Sequence, residues 1–234
     1  MLAKTNHTQL IILIDPDKYN PELILLANNC NVSYIFVGGS VLKNNNINAV
    51  IKSIKSKTNI PVIIFPGDET QISKYADGML LLSLISGRNA EYLIGKHVKA
   101  SLKIKQSKIK TLPTGYILID GNKKSTTQKI TKTIPLSSKK EIVETAVAGE
   151  LIGLRAIYLE AGSGASKTIN ASLITTIKKY ISTPLIVGGG ITTLAKAKAI
   201  IKSKPDYIVV GNALEINPKL LLEFSPLFKE KKHI

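Results

Sequence analysis

Residues 184–191, PLIVGGGI, and residues 205–212, PDYIVVGN, share the pattern that decides the fold. Each holds a short run that is apolar throughout, followed at once by glycine and then by a stretch with helical periodicity. Strands that are apolar along their whole length belong to parallel sheets that are covered on both faces. Repeated strand–turn–helix units of this kind are typical of α/β folds.

Six further runs of the same kind precede these two. The eight predicted strands are Leu10–Ile14, Tyr34–Val37, Val62–Phe65, Met79–Leu82, Tyr116–Ile119, Ala156–Leu159, Leu185–Val187 and Tyr207–Val210. Eight strands alternating with helices in 234 residues match a (β/α)8 TIM barrel, which typically has about 250 residues. A doubly wound open sheet is the rival fold, but it would not usually need eight such units. Since no linker-like segment divides the chain, we expect one domain over residues 1–234.

Two connections between the predicted strands are less regular than the others. We expect a short helix over Glu69–Tyr75 in the third connection. The polar, Lys/Thr-rich segment Gly121–Thr133 is expected to be a loop.

Composition excludes several classes of protein. A chain with 44% hydrophobic residues can bury a sizeable core, and its single cysteine, Cys30, excludes a disulfide framework and fits a reducing cytoplasm. No apolar run reaches the roughly 18 residues of a membrane span, and the first ten residues, MLAKTNHTQL, lack the pattern of a signal peptide. We therefore expect a cytoplasmic protein.

The charge balance is strongly basic. The chain has 32 Lys and Arg against 16 Asp and Glu, a formal net charge of +16, but only Arg88 and Arg155 are arginines. Reading a DNA sequence relies on the planar fork of arginine, so we expect no nucleic-acid partner. The scattered lysines favour a solvated surface. An anionic substrate and an anionic membrane surface stay open as alternatives.

Glycine-rich segments follow the last three predicted strands, at residues 160–164, 188–190 and 211–212. In a barrel the active site lies at the carboxyl ends of the strands. Glycines let backbone N–H groups approach an anion closely, and the helix that follows adds positive potential. A tight turn would explain one such segment. Three on successive strands favour a phosphate-binding cup.

Asp15 ends the first predicted strand, and Ser40 follows the second. One carboxylate and one hydroxyl, completed by substrate oxygens, suit Mg²⁺, which keeps few protein ligands. The alternative is that Asp15 caps the turn at Pro16 through an Asx hydrogen bond.

Glu160 ends a strand that is otherwise apolar, where an acid is costly unless it is paired or used. It is the best candidate for a general base, and Tyr158, on the same side of the strand, is placed to orient it or to bind a hydroxyl. The alternative is a structural acid paired with a lysine. Arg88 stays open, since it either clamps an anion or pairs with Glu91. His97 is expected to serve packing or the surface.

An ordered set of motifs, from the first predicted strand to the last, resembles the geranylgeranylglyceryl phosphate synthases, including bacterial members related to heptaprenylglyceryl phosphate synthases. The motifs are LIDPDK (13–18), FVGGS (36–40), FPGDETQIS (65–73), LLSLISGRNAEYLIGKHV (81–98), PTGYILIDG (113–121), YLEAGSGA (158–165), VGGGI (187–191) and VGNALE (210–215). Each motif alone is modest, but the ordered set covers essentially the whole chain.

The resemblance implies Mg²⁺-dependent transfer of a prenyl group, geranylgeranyl in the family's name, from a prenyl diphosphate to the C3 hydroxyl of sn-glycerol 1-phosphate. By motif, Asp15 and Ser40 would hold the metal, and Glu160, with Tyr158 beside it, would be catalytic. The residues that would bind glycerol 1-phosphate are Tyr158, Leu159, Glu160, Ala161, Gly162, Ser163, Gly164, Gly189, Gly190, Gly211 and Asn212. The resemblance also implies a homo-oligomer, and the long hydrophobic tail of a prenyl substrate implies peripheral contact with a membrane.

Two other functions are compatible with the same cup. One is another phosphate-binding barrel enzyme that acts on a small phosphoester and needs no long apolar groove. The other is a barrel that binds phosphate without catalysis, against which the presence of Asp15, Ser40 and Glu160 argues.

Overall fold

The computed structural model describes residues 1–43 and 46–228, and its centre is a closed, wholly parallel barrel of eight strands. Each strand pairs with the next, and the last pairs with the first. The predicted (β/α)8 TIM barrel is therefore confirmed. The strands are β1 (Gln9–Ile14), β2 (Val32–Val37), β3 (Val62–Ile64), β4 (Gly78–Leu84), β5 (Thr111–Leu118), β6 (Ala156–Glu160), β7 (Leu185–Gly188) and β8 (Tyr207–Val210).

Helices surround the barrel. The α-helices of the described residues are α1 (Pro21–Asn28), α2 (Ile47–Lys55), α3 (Lys96–Ser107), α4 (Thr126–Thr131), α5 (Lys139–Leu151), α6 (Ala171–Tyr180), α7 (Leu194–Ile201), α8 (Asn212–Ile216) and α9 (Leu220–Phe224). A π-helical turn over Glu91–Gly95 leads directly into α3, and 3₁₀ turns cover Pro16–Lys18 and Ser225–Leu227. No helix of the described residues has the length and apolarity to span a membrane.

Alternate residues of each strand pack in two separate apolar layers. Side chains such as Ile11, Phe36 and Tyr158 fill the interior of the barrel, whereas the intervening residues pack against the helices outside. Filling the interior with large side chains makes the barrel a packed core, so a ligand is expected at the carboxyl-end rim. Register then places the strand ends together: Glu160 of β6 lies opposite Gly188 of β7.

The third connection differs from its prediction, because residues 69–75 form turns and extended chain in place of a helix. Its polar side chains bond locally: Asp68 Oδ1 accepts from the amide and the hydroxyl of Thr70, and Gln71 is fully buried. Such side chain–backbone bonds compete with a helical backbone. One barrel position between β3 and β4 is thus left without a covering helix.

The polar segment 121–133 also differs from the expected loop, since it contains the short helix α4. Ser125 caps this helix, its Oγ accepting from the amide of Gln128 at 3.1 Å. This cap satisfies one of the free amides at a helix start and explains why a segment without apolar periodicity is helical.

Candidate active site

A polar cleft of about 240 Å³ opens at the carboxyl end of the barrel. It brings together residues from the first, second, sixth, seventh and eighth strand ends, as the sequence predicted for the site. The predicted site residues that line it are Asp15, Ser40, Tyr158, Glu160, Ser163, Gly164, Gly189, Gly190, Gly211 and Asn212. Leu159, Ala161 and Gly162 do not: the side chains of Leu159 and Ala161 pack outward in the layer between strands and helices, and the amide of Gly162 is bonded to Glu160.

Glu160 lies at the bottom of this cleft, with 7% of its surface exposed. Its Oε1 accepts from the amide of Gly162 at 2.7 Å, and this bond folds the glycine loop back over the carboxylate. Burial raises the pKa of Glu160 to about 7, although the Gly162 amide and the nearby Tyr158 hydroxyl oppose the shift. No lysine or arginine of the described residues forms an ion pair with Glu160, which argues against a lysine-paired structural acid.

Tyr158 is fully buried and stands beside Glu160 on the inner face of β6. Its hydroxyl lines the cleft and is near enough to the Glu160 carboxylate to oppose the rise of that group's pKa, but it meets full hydrogen-bond geometry with no group of the described residues. Burial, with Glu160 next to it, raises the pKa of Tyr158 well above its ordinary value, so the hydroxyl keeps its proton. A buried hydroxyl without a partner is costly in a folded protein and therefore indicates a place for a ligand atom.

The glycine loop after β7 is built against the carboxylate. Gly189 has φ +85°, and a Cβ atom there would lie 2.5 Å from Glu160 Oε1 and 2.8 Å from the Gly162 amide nitrogen. Only glycine combines this left-handed backbone with such a close approach. Across the cup, the Ser163 hydroxyl donates to Asn212 Oδ1 at 3.1 Å, which ties the β6 loop to the start of α8.

Asp15 caps the turn, one of the two roles that the sequence left open, and it also lines the cleft. Its Oδ1 accepts from the amide of Asp17 at 3.0 Å, which caps the turn, and the carboxylate still lines the cleft. The carboxylate also lies against Gly39, since a Cβ atom there would be 3.2 Å from Asp15 Oδ1. Ser40 follows directly, so the carboxylate and the hydroxyl border the same part of the cleft.

Gln71 is a positioning residue that the sequence analysis missed. Its Nε2 donates to the carbonyl of Gly39 at 2.7 Å, and its Oε1 accepts from the amides of Gly67 at 3.1 Å and Gly39 at 3.4 Å. The fully buried amide therefore fixes the loop that carries Ser40. The sequence feature that could have indicated it is an uncharged polar side chain within residues 69–75, the segment expected to be helical.

The rim also holds an ion pair that the sequence did not reveal. Lys18 donates to Glu215 at 2.9 Å, and both side chains line the cleft. The pair connects the turn after Asp15 to helix α8 and raises the pKa of Lys18. The ion pair lies at the edge of the cleft that contains both the predicted metal ligands and the glycine loops.

An apolar groove of about 130 Å³ adjoins the polar cleft at the position that lacks a covering helix. Leu80, Leu82 and Leu84 of β4 line it, together with Tyr92 and Ala100. Groove and cleft share five lining residues: Gly39, Ser40, Phe65, Tyr116 and Thr127. The ring centroids of Phe65 and Tyr116 each lie 5.3 Å from that of Tyr158, so aromatic side chains form the junction between the two.

Two other side chains that the sequence analysis considered serve the structure. Arg88 donates to the carbonyl of Ile85 and to the hydroxyl of Thr145, lines neither the cleft nor the groove, and does not pair with Glu91. Glu91 pairs instead with Lys99 at 2.6 Å. His97 is half-buried in the wall of the groove, its Nε2 lies 3.1 Å from the carbonyl of Leu82, and burial lowers its pKa.

A closed parallel barrel, with a buried carboxylate and glycine loops at the carboxyl ends of its strands, places the chain among the (β/α)8-barrel enzymes. The model of the PcrB family matches residues 3–225, and the chain belongs to this family.

Named relatives agree with this assignment. The geranylgeranylglyceryl phosphate synthase of Chitinophaga pinensis is 44% identical over 220 residues, which cover 92% of this chain and 87% of the relative. That of Thermococcus kodakarensis is 37% identical over 209 residues, covering 87% and 83%. The crystal structure of (S)-3-O-geranylgeranylglyceryl phosphate synthase from Thermoplasma acidophilum, in complex with its substrate sn-glycerol-1-phosphate, matches with a TM-score of 0.88 at 31% identity, covering 96% of this chain and 94% of that one. The resemblance carried by the motifs is confirmed.

Proposed function

We propose that this chain transfers a prenyl group from a prenyl diphosphate to the C3 hydroxyl of sn-glycerol 1-phosphate, giving a prenylglyceryl phosphate and diphosphate. The observation that carries this proposal is the direct junction of two unlike cavities, a polar cleft around a buried carboxylate and an apolar groove. A small phosphoester alone would need only the first. An acceptor with a phosphate and a donor with a long hydrocarbon tail need both.

The polar cleft suits glycerol 1-phosphate. The glycine loops after β6, β7 and β8 leave room for a phosphate beside backbone amides, and the Ser163–Asn212 bond ties two of these loops together. The Tyr158 hydroxyl, buried without a partner, is available to a hydroxyl of the glycerol. The solved relative from Thermoplasma acidophilum, whose substrate is sn-glycerol-1-phosphate, supports the same acceptor for this chain.

Glu160 is the proposed general base. With its pKa at about 7 it accepts a proton readily near neutral pH, and burial strengthens its interaction with the hydroxyl that it deprotonates. The bond from the Gly162 amide fixes one carboxylate oxygen, Oε1. Holding the base and the acceptor at fixed positions supplies much of the advantage of an intramolecular reaction.

The proposed cofactor is Mg²⁺, which takes oxygen ligands. Asp15 and Ser40 supply a carboxylate and a hydroxyl on the same border of the cleft, and the described residues contain no group of three acidic, histidine or cysteine side chains that would hold a metal by itself. This donor set fits an ion that shares its coordination with the diphosphate of the substrate. When bound, Mg²⁺ neutralises the negative charge that develops on the leaving diphosphate.

The apolar groove is the proposed place of the prenyl tail. Leucines of β4 line its floor, and the aromatic junction lies where the tail meets the polar cleft. Aromatic rings suit an allylic carbon that develops positive charge, since their π-systems attract cations.

The proposed reaction forms one bond, breaks one bond and transfers one proton. The C3 oxygen of the glycerol forms a bond to the first carbon of the prenyl chain, while the bond from that carbon to the diphosphate oxygen breaks. Diphosphate leaves with the bonding electron pair, and the hydroxyl proton passes to Glu160. The product is an ether that keeps its phosphate in the cup.

The proposal is tested by incubating the purified protein with Mg²⁺, sn-glycerol 1-phosphate and, in separate reactions, prenyl diphosphates from geranyl to heptaprenyl. We expect mass spectrometry to detect a prenylglyceryl phosphate in at least one reaction and none with sn-glycerol 3-phosphate. Asp15→Asn is expected to weaken the response to Mg²⁺. Its matched control is Asp120→Asn, another strand-end Asp whose Oδ1 caps a turn, at 2.8 Å from the amide of Asn122. Folded protein that yields no product in any reaction would favour a different phosphate-binding barrel.

A further inference from the structure

Helix α3 carries a row of apolar side chains on its solvent-facing side. Ile94, in the π-turn that begins this helical segment, is 58% exposed, Val98 is 66% exposed and Leu102 is 75% exposed. Side chains four residues apart lie above one another on a helix, so the three form one continuous stripe. A contiguous row of exposed apolar side chains commonly marks an interaction surface.

The opposite face of the same helix forms a wall of the apolar groove. Lys96, His97 and Ala100 line the groove, whereas Val98 and Leu102 point away from it. Helix α3 therefore separates the groove from solvent by the thickness of a single helix, about 10 Å.

Lysines lie beside the stripe and at its end. Lys99 and Lys103 follow Val98 and Leu102 by one position, on one flank, and Lys105, seven positions after Val98 and three after Leu102, continues the line of the stripe towards the end of the helix. Lys99 pairs with Glu91, but Lys103 and Lys105 have no carboxylate within ion-pair distance among the described residues. Residues 91–110 contain a single acidic residue, Glu91, and six lysines: Lys96, Lys99, Lys103, Lys105, Lys108 and Lys110.

We propose that α3 is an interfacial helix that lies flat on an anionic phospholipid surface, with Val98 and Leu102 inserted and the flanking lysines at the headgroups. An apolar stripe with lysines beside it and at its end is typical of helices that lie in the membrane interface, and each lysine near an anionic surface adds to the attraction. The biological role of such membrane contact, though not the contact itself, rests on the proposed prenyl-transfer function. The contact places the groove beside the membrane, where a long prenyl chain arrives and the lipid product departs.

A second copy of this chain fits the stripe less well. Two α3 helices packed face to face would bring their lysines together with only Glu91 to offset them on each side. An anionic bilayer pairs the same lysines with opposite charge and covers the same apolar side chains.

Vesicle co-sedimentation tests the proposal on the full chain. The probes are vesicles of phosphatidylcholine alone and vesicles with phosphatidylglycerol added. We expect binding to the anionic vesicles that weakens with salt, and little binding to the neutral ones. Val98→Ser with Leu102→Ser, and separately Lys103→Gln with Lys105→Gln, are expected to weaken binding by about tenfold or more.

Matched control pairs lie elsewhere on the surface. Leu151→Ser with Ile152→Ser removes two equally exposed apolar side chains at the end of α5, at 81% and 74% exposure, and Lys198→Gln with Lys202→Gln removes two lysines at the end of α7. These controls are expected to bind as the unmodified protein does. Equal weakening in the controls, or no binding to anionic vesicles, would overturn the proposal.

Two further measurements separate the alternatives. Analytical ultracentrifugation in which Val98→Ser with Leu102→Ser dissociates an oligomer would identify a second copy as the occupant and overturn the membrane proposal. Activity with a short, water-soluble prenyl diphosphate is expected to be unchanged in all four double variants. Absence of that activity in the unmodified protein would refute the proposed function, whereas vesicle binding would be judged on its own result.

Discussion

The Oε1 atom of Glu160 accepts a hydrogen bond from the amide of Gly162 at 2.7 Å, so the buried carboxylate holds the loop that begins two residues after it. The same carboxylate has a pKa of about 7, because burial outweighs that bond. Base and cup are thus one unit: any change that moves the Gly162 loop also changes the surroundings of the base.

The first prediction concerns the pH dependence of the reaction. Glu160 must be deprotonated to accept a proton, so kcat/KM is expected to be constant above pH 7 and to fall about tenfold for each pH unit below it. Glu160→Gln is expected to lower turnover by about 10²-fold or more and to bind glycerol phosphate almost normally. Steady-state kinetics and calorimetric titration measure the two quantities. The exposed Glu144→Gln on α5 is the control, and near-normal turnover of Glu160→Gln would remove Glu160 from the mechanism.

The second prediction concerns stability. The ordinary pKa of Glu160, 4.5, applies to the unfolded chain, and in the folded chain it is about 7. The folded state therefore binds the proton more tightly, and stability declines as pH rises from about 4.5 to 7, by about 3 kcal/mol from this group. Glu160→Gln lacks this decline. We expect urea unfolding to find the variant more stable than the unmodified protein at pH 8, with the difference disappearing near pH 4.5; a difference independent of pH would contradict the raised pKa.

The third prediction separates binding from stability at Tyr158. Tyr158→Phe removes a hydroxyl that meets full hydrogen-bond geometry with no group of the described residues, so it is expected to leave the free energy of unfolding unchanged or to raise it by about 1 kcal/mol, while kcat/KM falls about tenfold or more. Tyr207→Phe is the matched control, since the Tyr207 hydroxyl bonds the amide and carbonyl of Ala3 at the other end of the barrel. That variant should lose stability and keep its kinetics. Unchanged kinetics in Tyr158→Phe would show that no substrate atom meets this hydroxyl.

The sequence predicted the barrel because its eight apolar runs need covering on both faces, and it predicted the rim because strand ends meet there. It failed between β3 and β4, where Asp68 accepts from Thr70 in its own turn and Gln71 bonds to Gly39 of the neighbouring loop. Composition alone does not distinguish such a polar turn from a short helix. It also missed the partnership of Lys18 and Glu215, which lie 197 positions apart and meet only when the barrel closes.

The fourth prediction compares two glycines with similar backbone angles. Gly189→Ala is strained by its φ of +85° and also places a methyl group against Glu160 and the Gly162 amide, whereas Gly153 has φ +94° and open space where a Cβ atom would lie, with nothing within 4 Å. Gly153→Ala should therefore cost about 1 kcal/mol of stability and leave activity intact. Gly189→Ala should cost more and weaken binding of glycerol phosphate at least tenfold, measured by calorimetric titration. Equal effects of the two changes would mean that the cup tolerates the methyl group.

The fifth prediction concerns Gln71, which fixes the loop of Ser40 through its bonds to Gly39 and Gly67. Gln71→Met keeps the volume but leaves buried backbone groups without partners, at a cost of about 2 kcal/mol. If the loop then moves, Ser40 shifts relative to Asp15, so the Mg²⁺ concentration for half-maximal activity is expected to rise about tenfold while kcat recovers at saturating Mg²⁺. Gln106→Met on the exposed side of α3 is the control. A loss of stability with no change in the Mg²⁺ response would make Gln71 a purely structural residue.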